Sequence, residues 1–271
     1  MDTQEKIIQL YKSGLSLTEV GRQCFLTPYK IKKYLQKNNI PIRSRAQQNQ
    51  LTNMQRAKAV NHEYFQQIDS VNKAWLLGFI AADGAISNNR NAITIKLSAI
   101  DVSILQQIKQ ELQIERNIFT SITNNGFEIC SLEWSSQKQK QDLAKYGIVN
   151  NKTYLPMHLP KFTNDNLILA FILGYFDGDG SISVDKNYHL RFRLCAHRPE
   201  LLEDIALYLS KKYNCSYSLS QDKRQLWELS ISTKYAKQIF KDLYSLNSIR
   251  LDRKYQKYLE YINHETMTSL L

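Results

Sequence analysis

Residues 167–183 read LILAFILGYFDGDGSIS, and residues 74–87 read AWLLGFIAADGAIS. Each stretch is an apolar run that ends in Asp-Gly and continues into a pattern typical of a β-strand. Drawn as a helix, each stretch places small residues on one face, because residues four positions apart lie on the same side. Small side chains let two helix backbones approach closely, so we predict that the two helices pack against each other. The small residues are Ala74, Gly78, Ala82, Ala170, Gly174 and Gly178.

An acidic residue follows each small-residue face. Asp83 and Asp179 stand at the ends of the two stretches, so side-by-side packing would bring two carboxylates to one end of the interface. Such a placement is costly, because a helix C-terminus carries partial negative charge and like charges repel. A divalent cation would offset both costs. Taken alone, each stretch also fits a buried core helix with Asp-Gly as its turn; a membrane span is excluded, because it needs ~20 apolar residues and the longer run has roughly half of that.

The chain repeats itself beyond these stretches at an offset of 96 to 97 residues, with residues 93–97 answered by residues 190–194. Each half follows the order helix, two strands, helix, two strands, helix, which predicts an α+β fold. We place the first repeat at residues 71–160 and the second at residues 161–271. Polar side chains alternate with apolar ones along the second strand of each repeat, so one face of each sheet is predicted to be polar. The outward residues are Thr94, Lys96, Arg191 and Arg193.

Two sheets with such faces suit the major groove of DNA, where base edges are read, although an ordinary solvated sheet face gives the same pattern. Carboxylates with no Ser-His-Asp or Cys-His arrangement beside them favour a divalent-metal site over nucleophilic catalysis.

Residues 76–84, LLGFIAADG, and residues 172–180, ILGYFDGDG, resemble the two signature motifs of single-chain LAGLIDADG homing endonucleases. The first copy has Ala81 where the motif has its earlier acid, which is Asp177 in the second copy. We therefore expect Asp177 not to be essential to the chemistry that the two halves share. The resemblance implies two pseudo-symmetric αββαββα repeats that form a DNA-binding saddle.

The resemblance also implies roles for individual side chains. Asp83 and Asp179 would be catalytic residues that hold Mg²⁺ or Mn²⁺, each serving one DNA strand. In the family, a lysine beyond the closing helix of each half lies near the scissile phosphate. Lys152 and Lys254 take that place here, with Arg253 as an alternative to Lys254. Some relatives carry a glutamine at the end of the second strand, where we align alanines at positions 99 and 196, so a different arrangement of active-site water is expected.

Residues 1–46 predict a separate helix-turn-helix domain. Ser16 and Glu19 form a capping-box pattern at the second helix, and Thr27-Pro28 opens a third. The third helix has an outward face that suits insertion into a major groove, although a small helical bundle with solvated lysines is the alternative. The residues of that face are Tyr29, Lys30, Lys32 and Lys33.

Two segments follow this domain. Residues 41–45, which include Arg43 and Arg45, resemble the basic arm that lies in the minor groove beside invertase-type DNA-binding domains. Residues 47–70 are polar and rich in Gln and Asn, which predicts a linker, with its last aromatic residues docked on the main body.

Composition narrows the class of partner. The chain has 271 residues, 43% of them hydrophobic, which excludes global disorder. Its formal charge of +11 favours a nucleic-acid partner over a membrane, because no segment forms a basic amphipathic anchor, although a merely soluble basic protein is the alternative. Four scattered cysteines predict reduced thiols. We expect a monomer in the cytoplasm of a prokaryotic or phage-infected cell, or in an organelle matrix if it is organelle-encoded.

These patterns predict a homing endonuclease that makes double-strand breaks at a long, asymmetric site in duplex DNA. Two alternatives stay open. The first is a non-catalytic DNA-binding regulator, because some relatives pair this scaffold with a helix-turn-helix and have lost the acids. The second is an RNA maturase that assists the splicing of its own intron RNA.

Overall fold

The computed structural model describes residues 3–58, 60–186 and 188–268. The chain forms two compact units, one up to residue 59 and one from residue 60 onward. Within the described ranges, no helix combines the length and the hydrophobicity that crossing a bilayer requires.

The N-terminal unit consists of four helices, and its three predicted short helices are present. Their starts follow from the sequence. Ser16 and Glu19 form a reciprocal capping box before the second helix, and Thr27 caps the third, whose first residue is Pro28. The apolar faces of the first three meet in a small core around Val20. The helices are α1 (Thr3–Lys12), α2 (Leu17–Cys24), α3 (Pro28–Lys37) and α4 (Arg45–Lys58).

The segment after α3 differs from the predicted extended arm, because it packs against its own unit. The Arg43 guanidinium lies 4.0 Å from the centre of the Tyr11 ring and donates hydrogen bonds of 2.8 Å to the carbonyls of Tyr11 and Leu15. Its backbone N–H donates to the Tyr11 hydroxyl, also at 2.8 Å. Arg43 is therefore committed to the fold, whereas Arg45 is exposed in the first turn of α4. In the segment predicted as a linker, α4 occupies the first half. Tyr64 and Phe65 are buried in the main unit, as predicted.

Arg43→Ala should destabilise the N-terminal unit by about 2 kcal/mol, because it removes two hydrogen bonds from a charged donor and a cation–π contact. Arg45→Ala removes the same charge from an exposed position and should change stability by less than about 0.5 kcal/mol. All three tryptophans of the chain lie beyond residue 59, so tryptophan fluorescence follows only the main unit. Circular dichroism, which also detects α1–α4, should show the difference; equal unfolding of the two variants would contradict this role for Arg43.

The main unit contains two αββαββα repeats, as predicted. The first is built from α5 (Val71–Asp83), β1 (Gly84–Ile86), β2 (Ala92–Ser98), α6 (Val102–Glu111), β3 (Phe119–Ile122), β4 (Glu128–Ser135) and α7 (Gln137–Ala144). The second is built from α8 (Asp165–Asp179), β5 (Gly180–Val184), β6 (Leu190–Ala196), α9 (Glu200–Tyr213), β7 (Ser218–Gln221), β8 (Trp227–Ser232) and α10 (Thr233–Tyr244). The sequence analysis did not predict the helix α11 (Asp252–Thr268), which follows α10.

Each repeat has one antiparallel four-stranded sheet, ordered β1-β2-β4-β3 in the first and β5-β6-β8-β7 in the second. The motif helices α5 and α8 are buried almost throughout and belong to a hydrophobic core that both repeats share. Because each helix runs directly into the first strand of its sheet, the end of the helix and the edge of the sheet occupy fixed positions relative to each other.

The observed strand pairing corrects the sequence alignment between β2 of the first repeat and β6 of the second. Gly84 pairs with Ile95 in the first sheet, and Gly180 pairs with Leu194 in the second. Ile95 therefore corresponds to Leu194, an offset of 99 residues where the sequence comparison gave 97, because the first hairpin of the second repeat is longer. The correction is two residues, so it leaves the predicted outward faces unchanged, since side chains alternate with a period of two.

Candidate active site

The motif helices cross at two glycines, as their small-residue faces predict. A Cβ atom on Gly78 would lie 2.0 Å from the carbonyl oxygen of Phe171, and one on Gly174 would lie 1.9 Å from that of Trp75. Both pairs are related by the same offset of 96 residues, so each contact is the image of the other. The helices therefore touch backbone to backbone across a pseudo-twofold axis, and side chains larger than hydrogen do not fit at either position.

The two acids lie at the ends of these helices. A Cβ atom on Gly178, the neighbour of Asp179, would lie 3.3 Å from the Asp83 carboxylate oxygen Oδ2. Burial, together with the charge of Asp179, raises the pKa of Asp83 to about 6. Burial also raises the pKa of Asp179. The structure therefore brings the two carboxylates together in a desolvated place, where the charge of Asp179 disfavours ionisation of Asp83.

A buried lysine stands behind each helix end. Lys152 Nζ donates to the carbonyl of Ala82 at 2.7 Å. Lys254 Nζ donates to the carbonyls of Phe176 and Gly180 at 2.6 Å and of Asp177 at 2.8 Å. The ammonium groups thus neutralise the partial negative charge of the helix C-termini. Both also lower the pKa of the two aspartates, and their own pKa is lowered by burial, for Lys254 to about 8.

The lysines occupy similar places although their spacings from the acids differ by six residues. Lys254 lies in the first turn of α11, whereas Lys152 lies in a short 3₁₀ turn, so the two halves deliver the cation with different local structures. Arg253 was the alternative to Lys254. Its Nε instead lies 3.1 Å from both carboxylate oxygens of Asp101 in the first repeat. Lys254, rather than Arg253, is therefore the cation at the end of α8.

Asp177 is a structural anchor that the sequence did not reveal. Its carboxylate is buried, and Oδ2 accepts hydrogen bonds from the Trp75 indole at 2.9 Å and from the backbone N–H of Leu251 at 3.1 Å. Burial raises its pKa to about 7. The side chain joins α5, α8 and the segment that leads into α11, and so fixes the approach of Lys254. Its counterpart Ala81 cannot form such a link.

Asp177→Leu should destabilise the main unit by about 3 kcal/mol, because it leaves two buried N–H donors without an acceptor. Asp177→Asn keeps an acceptor oxygen and removes the buried charge, so it should unfold at least as late as the wild type at pH 8. Urea unfolding followed by tryptophan fluorescence compares the two variants. A leucine variant as stable as the asparagine variant would show that the anchor is not needed.

A cavity of about 270 Å³ opens beside Asp179 and is also lined by Tyr175, Lys152 and His197. The Tyr175 hydroxyl donates to the carbonyl of Cys195 at 3.0 Å. The charge of His197 lowers the pKa of Asp179. With the corrected strand alignment, His197 corresponds to Ser98, so this side chain belongs to one half alone. It was missed as a site residue because the length of the hairpin before it is not evident from the sequence. By the same alignment, the alanines at positions 99 and 196 are not counterparts.

The donor set fits a hard divalent cation. Carboxylate oxygens are the ligands that Mg²⁺ and Mn²⁺ accept. Burial raises the pKa of both acids, so a bound cation would stabilise their ionised forms. Among the described residues no group of three or more His, Cys, Asp or Glu side chains is placed to hold a metal. Mg²⁺ commonly keeps several water ligands and binds phosphate oxygens of its substrate.

The remaining predicted DNA contacts lie on three elements. Thr94 and Lys96 alternate with buried residues on β2, and Arg191 and Arg193 do so on β6. In the N-terminal unit, α3 presents an exposed polar face. Its exposed residues include Tyr29, Lys30, Lys32 and Lys33.

The LAGLIDADG-like domain family matches residues 70–149 and 166–244, which contain the two repeats. The chain belongs to this family. Among curated relatives, an uncharacterised protein of Methanocaldococcus jannaschii is 22% identical over 208 residues, covering 73% of this chain and 72% of that protein. A DNA polymerase of Acanthamoeba polyphaga mimivirus is 28% identical over 177 residues, covering 61% of this chain but only 10% of the much longer polymerase.

Solved structures share the LAGLIDADG fold. Meganuclease I-SmaMI bound to DNA superposes with a TM-score of 0.52 at 15% identity, covering 72% of this chain and 90% of that one. Full-length WhiA from Thermatoga maritima superposes with a TM-score of 0.48 at 16% identity, covering 76% of this chain and 66% of that one.

Proposed function

We propose that this LAGLIDADG protein is a site-specific endonuclease that hydrolyses both strands of duplex DNA with a divalent cation. The observation that carries the proposal is the meeting of Asp83 and Asp179 at the ends of two helices, with a buried lysine behind each acid. A hydrophobic core would not need two adjacent carboxylates whose pKa values are both raised by burial. The DNA-bound state of I-SmaMI, which shares the fold, agrees with this proposal.

When bound, Mg²⁺ or Mn²⁺ would activate a water molecule and stabilise the leaving oxygen of the scissile phosphate. The side chains of this protein prepare the site for that chemistry. Asp83 and Asp179 supply oxygen ligands, and the ammonium groups of Lys152 and Lys254 favour the ionised form of both acids. The pseudo-twofold axis between α5 and α8 relates the two halves, so that one half can serve each antiparallel DNA strand. We propose that a monomer suffices, because one chain supplies both acids.

The experiment is a cleavage assay with purified protein and a library of long random duplexes in Mg²⁺. We expect double-strand breaks at one sequence, which EDTA prevents and which Asp179→Asn abolishes. An absence of cleavage with both Mg²⁺ and Mn²⁺, or cleavage that persists in Asp179→Asn, would overturn the proposal. Sequence-specific binding without cleavage would support a regulator, and faster intron splicing without DNA cleavage would support a maturase.

The N-terminal unit is proposed to strengthen DNA binding without taking part in cleavage. Residues 1–59 carry eleven Lys and Arg against three Asp and Glu, which is +8 of the total formal charge of +11. Most of the net attraction for a polyanion therefore resides outside the unit that holds the two acids. On α3 the exposed lysines are Lys30, Lys32 and Lys33.

A triple variant with glutamine at these three lysines should reduce the slope of log affinity against log salt by up to about 3, because each neutralised phosphate contributes about 0.9. The cleavage rate at saturating DNA should stay unchanged. Binding titrations measure the slope between about 50 and 200 mM salt, a range in which the affinity of DNA-binding proteins changes strongly. A control variant with glutamine at Lys109, which lies on α6 of the main unit, should keep the wild-type slope. An unchanged slope in the triple variant would exclude α3 from the DNA interface.

A further inference from the structure

The two sheets of the main unit expose unlike side chains at equivalent positions. Strand register defines the equivalence. Thr94 is paired with Ala85 and Glu133, and Arg193 is paired with Ser181 and Ser230. Gly84 begins the first strand of the first sheet, and Gly180 begins that of the second. Counted from these glycines, Thr94 and Arg193 occupy the same position in the two repeats. The second repeat therefore presents a guanidinium where the first presents a hydroxyl.

The two arginines of β6 lie near carboxylates but do not form hydrogen bonds with them. Arg193 Nε lies 3.7 Å from Glu228 Oε1, and Arg191 Nη2 lies 3.6 Å from Asp185 Oδ2. Both distances are too long for hydrogen bonds, so the carboxylates orient the two guanidinium groups without using their donors. Within the described part of the chain, Arg193 Nε is buried and has no hydrogen-bond partner.

At the equivalent position in the first sheet, the polar side chains already contact one another. The Thr94 hydroxyl lies 3.5 Å from Glu133 Oε2, and Arg116 forms a 2.8 Å ion pair with the other oxygen of Glu133. No guanidinium therefore projects from β2 at this position.

A second pair of equivalent positions also carries unlike side chains. Phe119 is opposite Ser131 on β4, and the register of the second sheet places Ser220 at the equivalent position, opposite Glu228. Phe119 is 66% exposed. A large apolar side chain on this exposed sheet face has no core to enter, but it suits the methyl group of thymine, which projects into the major groove.

We infer that the two repeats read unlike half-sites, with guanines facing Arg191 and Arg193 in the half-site of the second repeat and a thymine facing Phe119 in that of the first. The argument rests on the proposed function, since it requires that the open sheet faces contact the major groove. An arginine fork matches the O6 and N7 acceptors of guanine, and it is the commonest specific contact to that base. Because neither Asp185 nor Glu228 forms a hydrogen bond with these arginines, both guanidinium groups keep donors that a base can accept from.

The test is selection of bound duplexes from a randomised library, with Ca²⁺ in place of Mg²⁺, followed by sequencing. Wild-type protein should recover an asymmetric site, and Arg193→Thr should lose a guanine preference of roughly 10-fold at one position of one half-site. The reciprocal variant Thr94→Arg should gain a guanine preference at the mirror position of the other half-site. Phe119→Ser should relax a thymine preference in that same half-site, and Ser220→Phe serves as its matched partner.

The possible outcomes separate the two proposals. If the wild type selects a defined site and cleaves it in Mg²⁺, but Arg193→Thr and Arg191→Thr leave every base preference unchanged, the half-site inference is wrong and the endonuclease proposal stands. If the wild type selects no sequence, the proposed function fails and the inference fails with it. Variants are compared only if their tryptophan fluorescence and circular dichroism match those of the wild type.

Discussion

Asp83→Asn is expected to abolish double-strand cleavage and, at the same time, to make the main unit more stable. Removing one of the two carboxylates that we propose as cation ligands should lower the cleavage rate at saturating DNA by about 10²-fold or more, which corresponds to several kcal/mol of transition-state stabilisation. The stability effect comes from the charge itself. The pKa of Asp83 is about 6 in the folded protein and 3.8 in its ordinary state, so folding disfavours the ionised form.

The sign of the pH dependence follows from this shift. The contribution of a raised pKa to stability is complete below about pH 4 and is lost as the pH rises through 6. At pH 8 the ionised Asp83 costs at most about 3 kcal/mol, from about 1.4 kcal/mol per pKa unit. Asparagine carries no charge at any of these pH values. Asp83→Asn should therefore raise the free energy of unfolding at pH 8 in EDTA, and should raise it less at pH 5.

Urea unfolding followed by tryptophan fluorescence tests this prediction in the main unit alone. Glu115→Gln provides a matched control, because it removes one negative charge from an exposed side chain of the same repeat. The control should keep wild-type cleavage and stability at both pH values. An asparagine variant that is inactive but no more stable at pH 8 would mean that Asp83 is not desolvated. A variant that still cleaves both strands would remove Asp83 from the catalytic site.

The sequence predicted the parts of this site that depend on local pattern. The helix faces with Gly78 and Gly174, the acids after them and the alternation along β2 and β6 all follow from periodicities of four and two residues. The family resemblance, rather than spacing, pointed to Lys152 and Lys254, and the structure places both ammonium groups at the ends of the motif helices. Their predicted role near the scissile phosphate stays a prediction.

The parts that the sequence did not predict depend on long-range contacts. In the sequence Arg43 resembles an exposed basic arm, and only its contacts with Tyr11, 32 residues away, explain why it is half-buried. Asp177 looks like a second motif acid, and its role comes from Trp75 and Leu251, which lie far from it in the sequence. The alanines at positions 99 and 196 were aligned wrongly, because a longer hairpin shifts the strand register without changing the alternation of side chains.

Gly174→Ala is expected to destabilise the protein more than Arg43→Ala or Asp177→Leu. In an exposed helix the change would stabilise by about 1 kcal/mol, because alanine has the higher helix propensity. Here the new Cβ would lie 1.9 Å from the carbonyl oxygen of Trp75 and 2.9 Å from the backbone nitrogen of Phe79. Neither atom belongs to a flexible side chain, so the two helices must separate. Overpacking of a buried contact typically costs about 1–3 kcal/mol, and a clash with backbone should exceed that range.

Separation of α5 and α8 should also impair cleavage, because it moves Asp83 away from Asp179 even though neither acid is changed. Gly78→Ala, the pseudo-symmetric substitution, should have a similar effect, since its Cβ would lie 2.0 Å from the Phe171 carbonyl. Gly126→Ala is the control: no atom lies within 4 Å of its Cβ position, and its positive φ of +80° alone should cost about 1 kcal/mol. Urea unfolding and the cleavage rate at saturating DNA measure both effects. If Gly174→Ala unfolded no earlier than Gly126→Ala and kept wild-type cleavage, close packing of the motif helices would not be what holds the two acids together.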